Sequence, residues 1–427
     1  MARRGSDAAD SVDVYLDAKE LGPLVKVGRL NHRRSRSQSA LSFSYSAEWL
    51  ASRGAFQLDP RLNLYAGEQF AAEGVNSIGV FLDSAPDRWG RVLLDRREAL
   101  AARAEKRVQR SLADWDYLLS VDDECRMGAL RFRRDDASPF LERHKLSAPP
   151  ITSLPDMERV SLALEKQGAE KLPAYGEWIA TLLAPGTSLG GSRPKANFRD
   201  RDGSLWIAKF PSSEDRHDVG AWEQLMHALA KDCRIKVPRH RLAKFRHKYH
   251  SFCSQRFDRT PDGRRFFVSA MTLLERRDGE GGSYLEIAEF IQNHGARGGV
   301  DSDLEQLFRR VLFNVLVGNT DDHLRNHGFL REASGWRLAP AYDLNPNPAK
   351  RHHALELDGS TDEPDLASLL ATAEFYRVRA RAADRMFKGI REVTQGWKKR
   401  ASAMRISASE RSRMAQAFVL SDESSRK

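Results

Sequence analysis

Apolar and polar residues alternate differently in the two halves of this chain. Residues 11–60 contain short apolar runs separated by turn-forming residues, a pattern typical of small β structure. A helical period follows across residues 93–104, and the segment MGALRFRR at 127–134 predicts a strand. From Leu285 onward the period is mostly helical, so the pattern predicts a strand-rich part followed by a helix-rich part.

The centre of the chain carries both kinds of pattern. Residues 187–213 predict two strands joined by a turn, and residues 219–233 predict a helix with large apolar side chains on one face. Residues 239–259 return to a strand pattern. Near residues 304–317 a further helix presents a continuous apolar face, which indicates that it is buried.

Composition narrows the class of protein. The hydrophobic fraction is 41%, and no apolar run approaches the roughly 20 residues that a membrane span needs. The start of the chain lacks the apolar segment of a secretory signal. Cys125, Cys233 and Cys253 are widely spaced and form no CxxC pair, so we expect no zinc site or disulfide framework. A reducing cytoplasm fits this cysteine usage best.

The formal net charge of +10 leaves contact with a polyanion open. Basic residues gather in two N-terminal clusters: Arg33, Arg34 and Arg36, and Arg103, Lys106, Arg107 and Arg110. Each cluster has two interpretations, a nucleic-acid contact or an ordinary solvated face, and charge alone does not choose between them.

The segment FNVLVGNTDDHLRNHGFLREASGWRLAPAYDLNP, residues 313–346, carries the candidate chemistry. A buried helix ends at Gly318, a polar loop follows, and a hairpin turning at residues 333–335 returns the chain, with Asp343 at the end of its second strand. The loop offers Asp321 and, five positions later, Asn326, and the hairpin brings Asp343 beside them.

Phosphoryl transfer needs such a set, because one carboxylate must take the proton of the attacking hydroxyl and oxygen ligands must hold Mg²⁺ against the phosphates. We therefore predict Asp321 as catalytic base, with Asn326 and Asp343 as metal ligands. The alternative is a polar loop whose Asp and Asn side chains only cap turns and helix ends.

A candidate phosphate site lies upstream. The glycine-rich turn TSLGGSRPK, residues 187–195, would let backbone N–H groups approach phosphate oxygens, although a simple turn has the same composition. Lys209 follows on an apolar strand and is placed to reach phosphates, unless it is an edge lysine in solvent. Glu223, on the next helix, is its predicted ion-pair partner.

Six segments, in order, resemble the motifs of HipA-like serine/threonine kinases, the toxins of bacterial type II toxin–antitoxin modules. They are SLGGSRPK, IAKFP, SQRFDR, GSYLEIAEFI, GNTDDHLRNHGFL and LAPAYDLNP. The N-terminal segments DSAPDRWGRVLL and RMGALRF also resemble that family, so the resemblance covers roughly residues 12–400.

The resemblance implies an α+β, two-lobed, protein-kinase-like fold of the HipA type. With it, we expect a β-rich subdomain at 11–135, a kinase N-lobe at 136–280 and a helical C-lobe at 281–406. The residues themselves predict a disordered start at 1–10 and a polar, serine-rich tail at 407–427 that frays.

The resemblance also implies roles at single positions. Nucleotide binding is implied for Gly190, Gly191, Ser192, Arg193, Pro194, Lys195 and Lys209 around the phosphates, for Gln255, Arg256 and Phe257 at the adenine hinge, and for His323, Leu324, Arg325, Asn326, Tyr342 and Asp343. Ser188 matches the serine at which family members are switched off by phosphorylation, although it also suits a turn cap.

Two positions depart from the family pattern. Asp322 stands where glycine is frequent, and its extra carboxylate would either raise a neighbour's pKa or face solvent. Gln255 stands where glutamate is frequent, a change that a backbone contact to adenine tolerates. Neither departure removes a required group, so we expect an active enzyme.

The implied function is ATP- and Mg²⁺-dependent phosphorylation of a serine or threonine on a protein, an aminoacyl-tRNA synthetase being the expected substrate class, with growth arrest as the outcome. The implied partners are a HipB-like helix-turn-helix antitoxin and, through that complex, operator DNA. Two alternatives stay open: a non-catalytic DNA-associated co-regulator that works through its antitoxin, and a small-molecule kinase on a related fold.

Overall fold

The computed structural model describes residues 10–34, 39–71, 77–141, 148–183, 191 and 193–422. Its strands are β1 (Asp10–Leu16), β2 (Val25–Arg34), β3 (Ser39–Tyr45), β4 (Gln69–Phe70), β5 (Leu130–Arg133), β6 (Lys195–Arg199), β7 (Leu205–Lys209), β8 (His240–Ala243), β9 (Ser251–Gln255), β10 (Arg259–Thr260), β11 (Gly263–Arg264), β12 (Phe267–Ser269), β13 (Gly328–Glu332) and β14 (Gly335–Leu338).

The helices are α1 (Ala47–Ala51), α2 (Gly79–Asp83), α3 (Arg88–Ala104), α4 (Asp114–Leu119), α5 (Leu154–Leu164), α6 (Tyr175–Leu183), α7 (Val219–Asp232), α8 (Ala270–Leu273), α9 (Tyr284–His294), α10 (Val300–Val317), α11 (Leu366–Ala371), α12 (Ala380–Gln395), α13 (Trp397–Ala403), α14 (Ala408–Met414) and α15 (Val419–Asp422).

The chain divides into two compact units. The first comprises Met1–Ile207 and Asp258–Val268, and the second comprises Ala208–Phe257 and Ser269–Lys427. The five-part division expected from the sequence stays a prediction. Of the start expected to be disordered, only Asp10 lies within the described residues, and it begins β1.

The first unit contains an antiparallel sheet in the order β4-β3-β2-β1-β5. Side chains on one face of its strands are fully buried, among them Val12, Leu30 and Phe43. Outside the sheet, α6 packs against both α3 and α5. The strand pattern predicted over 11–60 is confirmed as far as Tyr45, after which α1 is a helix and no strand follows up to residue 60. The strand predicted within 127–134 and the helical period over 93–104 are confirmed.

The two N-terminal basic clusters are largely ion-paired inside the first unit. Arg33 Nε lies 3.0 Å from Glu68 Oε1, and Arg34 Nη2 lies 3.2 Å from Asp116 Oδ2. Glu98 accepts from the guanidinium groups of both Arg107 and Arg110. These pairs favour the solvated-face interpretation of the clusters; Arg36 lies outside the described residues.

The core of the second unit forms around α10. Leu304, Leu307, Phe308 and Val311 recur at the spacing of one helix face, and each is fully buried. Helices α9, α12 and α15 pack against this helix. The buried helix predicted near 304–317 is confirmed, and it begins four residues earlier than the apolar period indicates.

Two antiparallel hairpins complete the second unit: β8 pairs with β9, and β13 pairs with β14 with Glu332 opposite Gly335. A Cβ at Gly335 would lie 2.7 Å from backbone atoms of Ala296, and its φ of 155° suits glycine. The hairpin predicted to turn at residues 333–335 is confirmed. No helix within the described ranges is both long enough and apolar enough to cross a bilayer.

The polar tail predicted over 407–427 is wrong for its described part, because α14 and α15 continue the fold there. Met414 and Phe418 are buried and lie one helical turn apart in the run MAQAFVL, residues 414–420. The Phe418 ring stacks on Trp397 with centroids 4.3 Å apart, and Ser421 Oγ donates to the Leu316 carbonyl at 2.7 Å. This short apolar run anchors the serine-rich stretch to the core.

We expect Phe418→Ala to lower the free energy of unfolding by about 3–5 kcal/mol, because it removes a fully buried ring from this stack. Urea unfolding followed by circular dichroism measures the change. Phe375→Ala is the matched control, since that ring is 57% exposed and its loss should change stability by less than about 0.5 kcal/mol. Equal effects would contradict the anchoring role.

Candidate active site

The loop after α10 is fixed at its start by backbone geometry. Gly318 ends the helix with a φ of 60°, and a Cβ there would lie 2.5 Å from the carbonyl oxygen of Ala417. Asn319 then donates from Nδ2 to Asn314 Oδ1 at 3.0 Å and accepts from the Asn345 N–H at 3.3 Å. The polar loop therefore leaves the helix at a defined position and is tied to the segment after Asp343.

Asp321 presents its carboxylate outward from this loop. Its side chain is 66% exposed, and the Oδ1 atom lies 3.0 Å from Lys350 Nζ. Asn326 is buried and donates from Nδ2 to the Asp321 carbonyl at 3.3 Å. Two of the three residues predicted to carry the chemistry are therefore adjacent, with the candidate base open to a substrate hydroxyl.

Asp322 is buried, so the alternative in which its carboxylate faces solvent is wrong. Its Oδ2 accepts hydrogen bonds from Tyr284 Oη at 2.6 Å and Asn314 Nδ2 at 2.7 Å, and it contacts His327 Nε2 at 2.7 Å. Burial opposes ionisation, but the charge and hydrogen bond of His327 and the Tyr284 hydroxyl hold the pKa of Asp322 below its ordinary value. The Asp322 carboxylate therefore joins the loop to α9 and α10 through buried hydrogen bonds.

Asp343 lies in a loop, and the prediction that it ends the second strand of the hairpin is wrong. β14 ends at Leu338, because Pro340 has no N–H with which to continue the ladder. Asp343 adopts a φ of 58°, which is uncommon for a non-glycine residue. Tyr342, directly before it, donates its hydroxyl to the Arg325 carbonyl at 2.6 Å, which links this loop to the one that carries Asn326.

Lys209, the last residue of β7, forms ion pairs with two carboxylates. Its Nζ lies 2.6 Å from Glu223 Oε1 and 2.7 Å from Asp343 Oδ1. Burial opposes the charge, but the two carboxylates raise the pKa of Lys209 above its ordinary value, so the ammonium persists across physiological pH. The predicted Lys209–Glu223 ion pair is confirmed, and Glu223 is almost fully buried on α7.

The predicted adenine hinge begins at the last residue of β9, Gln255. The Gln255 N–H donates to the Arg239 carbonyl at 2.8 Å, so that backbone donor is used within the protein. Arg256 is buried, and the Phe257 ring stacks on Tyr342 with centroids 5.4 Å apart. The hinge segment is therefore joined to the residue preceding Asp343, while its contact with adenine stays a prediction.

The residues from His323 to Asn326 form a short 3-10 turn over Leu324–Asn326. His323 is exposed and Leu324 is buried beside Gly282. Arg325 reaches outward to Asp278, with Nε 3.1 Å from Oδ1. Their predicted part in lining the nucleotide is untested.

The predicted phosphate loop belongs to the first unit. Its members Ser188, Gly190 and Ser192 lie outside the described residues, whereas Gly191, Arg193, Pro194 and Lys195 lie within them. Lys195 is buried, and its Nζ donates to Asp87 Oδ2 at 2.8 Å and to the Gly191 carbonyl at 2.7 Å. In this structure that amine holds the end of the loop to the start of α3, and its phosphate contact stays a prediction.

Sequence reasoning missed two parts of the site. Nothing in the segment NPNPAKRHH marks Lys350 as the partner of Asp321, since the pair joins residues 29 positions apart. The network around Asp322 did leave a signal, because Tyr284 and Asn314 are polar groups within otherwise apolar helix faces. Buried polar groups need partners, so such positions point to a network.

The donor set fits magnesium. Asp343 and Asn326 supply a carboxylate and an amide oxygen, the hard ligands that Mg²⁺ accepts alongside water and phosphate oxygens. Across the described ranges no cluster of three or more His, Cys, Asp or Glu side chains is arranged to hold a metal.

Comparisons with known proteins bear on the family and the fold. Residues 187–397 match the family described as the HipA-like C-terminal domain. HipA of Shewanella oneidensis MR-1, solved in a toxin–antitoxin complex with HipB and operator DNA, covers 96% of each chain with a TM-score of 0.63 and 19% identity. A putative kinase from Haemophilus influenzae is 29% identical over 185 residues, which are 37% of this chain and 52% of that protein. The chain thus spans about half the length of that relative.

The fold is α+β and kinase-like, of the HipA type. Residues 187–397, which include Lys209, Asp321, Asn326 and Asp343, belong to the HipA-like C-terminal domain family. The resemblance stated from the sequence motifs is confirmed for this span.

We expect Asp322→Asn to lower the free energy of unfolding by about 3–5 kcal/mol, because it alters a buried carboxylate whose Oδ2 contacts three polar side chains. The folded pKa of Asp322 is depressed, so its contribution is present above the unfolded pKa of about 3.9 and is lost as pH falls below it. Urea titrations at pH 7 and pH 3 should show a smaller difference between variant and wild type at the lower pH. Asp321→Asn, which alters an exposed carboxylate, should change stability by less than about 0.5 kcal/mol; a matching loss in both variants would refute the distinction.

Proposed function

We propose that the chain is an ATP- and Mg²⁺-dependent serine/threonine protein kinase that acts as the toxin of a HipA/HipB-type toxin–antitoxin system. The observation that carries the proposal is the linkage of Asp321, Asn326 and Asp343, with Lys209 paired to Asp343 at 2.7 Å. This is the set of groups that phosphoryl transfer requires.

Lys209 would bind the α- and β-phosphates of ATP, with Glu223 fixing the direction of its ammonium group. Asn326 and Asp343 would hold Mg²⁺, which when bound neutralises charge on the phosphate oxygens. The short Lys209–Asp343 contact keeps the positive group and the metal ligand at one location, so both would meet the same phosphates.

Asp321 would take the proton of the acceptor hydroxyl. The hydroxyl oxygen then forms a bond to the γ-phosphorus, the bond from that phosphorus to the bridging oxygen breaks, and ADP leaves. The exposure of Asp321 suits this role, because the hydroxyl belongs to a second protein that must reach it.

The remaining roles rest on the family resemblance. Gly190–Lys195 would cradle phosphates, residues 255–257 would meet adenine, and phosphorylation of Ser188 would compete with ATP for the same N–H donors. An aminoacyl-tRNA synthetase is the proposed protein substrate.

A helix-turn-helix antitoxin similar to HipB is the proposed partner, with operator DNA bound through the complex. Support comes from the Shewanella HipA chain, which was solved with HipB and operator DNA. The net charge of +10 suits an assembly that lies on DNA.

Asp321→Asn should reduce transfer of ³²P from [γ-³²P]ATP to purified aminoacyl-tRNA synthetases by about 10²–10⁴-fold, because the general base is lost. Asp301→Asn is the control, since that exposed carboxylate pairs with Arg377 away from the site. Equal transfer by wild type and Asp321→Asn would refute the assignment of the base.

Operator-DNA binding and phosphoproteomics, together with the transfer assay, separate the alternatives. A non-catalytic co-regulator would bind operator DNA with its antitoxin, transfer no phosphate and be indifferent to Asp343→Ala. A small-molecule kinase would consume ATP while phosphoproteomics after induced expression detected no new protein phosphorylation.

A further inference from the structure

A cavity of about 520 Å³ lies in the second unit beside the loop that carries Asp321. Its wall includes Thr320, directly before Asp321, and the run from Lys350 to His353. Apolar residues of the C-terminal helices, among them Val419 and Leu420, line it as well. The volume is in the range of ligand sites, and nothing in the proposed nucleotide chemistry uses it.

Two buried polar groups line this cavity without a partner. Thr320 and His353 are 3% and 4% exposed, and within the described part of the chain neither Thr320 Oγ1 nor His353 Nδ1 has a hydrogen-bond partner. Burial lowers the pKa of His353 to about 4, so the neutral ring offers one N–H and one lone pair near pH 7. Both atoms have almost no accessible surface, so the polar groups that a ligand in the cavity would meet are those of its rim.

The rim of the cavity is positively charged. Lys350 is 57% exposed and pairs only with the exposed Asp321, and Arg351 is exposed with no ion-pair partner among the described residues. His352 Nδ1 lies 3.0 Å from Asp362 Oδ1, and Glu363 is the acidic residue in the cavity wall. Lys350 and His352 face carboxylates, whereas the Arg351 guanidinium has no carboxylate partner among the described residues, and this group favours a carboxylate ligand.

We propose that this cavity binds the part of the protein substrate next to its acceptor hydroxyl and selects an aspartate or glutamate side chain there. The inference rests on the proposed kinase function. Lys350 lines the cavity and its Nζ lies 3.0 Å from Asp321 Oδ1, so a segment that presents a hydroxyl to Asp321 lies next to the cavity rim. Consecutive residues of an extended chain advance about 3.3 Å each. A side chain within a few residues of the acceptor therefore reaches Lys350 and Arg351, with its methylene groups against the apolar wall.

Binding of a substrate carboxylate to Lys350 would also affect Asp321, the candidate base. Its ion pair with Asp321 joins two exposed groups, so the pair is weak and exchangeable. A substrate carboxylate in the cavity competes for the same ammonium and frees the Asp321 carboxylate to accept the hydroxyl proton. Lys350 is thus a positioning residue that couples substrate recognition to the base.

The probes are three series of fluorophore-labelled peptides with one serine in an alanine–glycine background. The series carry glutamate, glutamine or lysine, placed in turn at each of the three positions on either side of the serine. Phosphorylation and binding by fluorescence anisotropy are measured with the full chain, together with peptide-free ATP hydrolysis. We expect glutamate at one or two positions to raise kcat/KM about tenfold over glutamine and to tighten binding.

Arg351→Glu is expected to invert the preference from the glutamate to the lysine peptide. Arg381→Glu is the matched control, because it makes the same charge change on the exposed side of α12, away from the cavity, and should keep the wild-type preference and ATP hydrolysis.

The outcomes separate the two claims. Equal affinity and turnover of the three peptide series, or an unchanged preference in Arg351→Glu, overturns the acidic-segment inference. If ATP is still hydrolysed in that case, the proposed kinase function stands. Absence of ATP hydrolysis together with absence of phosphorylation overturns the proposed function itself.

Discussion

Lys209 holds its ammonium group between two carboxylates that come from distant parts of the second unit. Glu223 lies on α7 and Asp343 lies in the loop after β14, at 2.6 and 2.7 Å from Nζ. Because a partly buried cation needs such partners, the strand, the helix and the loop must all take these positions together. The Tyr342–Arg325 hydrogen bond then carries the constraint on to the loop of Asn326, so the candidate metal ligands are positioned through one connected network.

Much of this arrangement could be predicted from the sequence because its signals are local. The apolar face of α10, the glycine at 335 and the lysine on an apolar strand each report a conformation within a few residues. The order of Asp321, Asn326 and Asp343 predicted phosphoryl transfer, and the motif resemblance predicted the fold. Residue order does not report distance, so only the structure reveals that Lys209 also pairs with Asp343.

The rest depended on contacts that no local pattern encodes. The burial of Asp322 is decided by partners on α9, on α10 and after the 3-10 turn, and not by its neighbours along the polar loop. The C-terminal stretch packs on the core because Phe418 stacks on Trp397, a contact that the serine-rich composition of the stretch does not predict. Lys350 reaches Asp321 from a proline-rich loop without a regular period. Tertiary partners override local composition in each case.

The most direct test of the central claim is the effect of Mg²⁺ on ATP binding, measured by calorimetry on the full chain. If Asp343 holds the metal and Lys209 the phosphates at one location, Mg²⁺ should tighten ATP binding to the wild type and have little effect on binding to Asp343→Asn. Equal tightening by Mg²⁺ in both proteins would contradict the account.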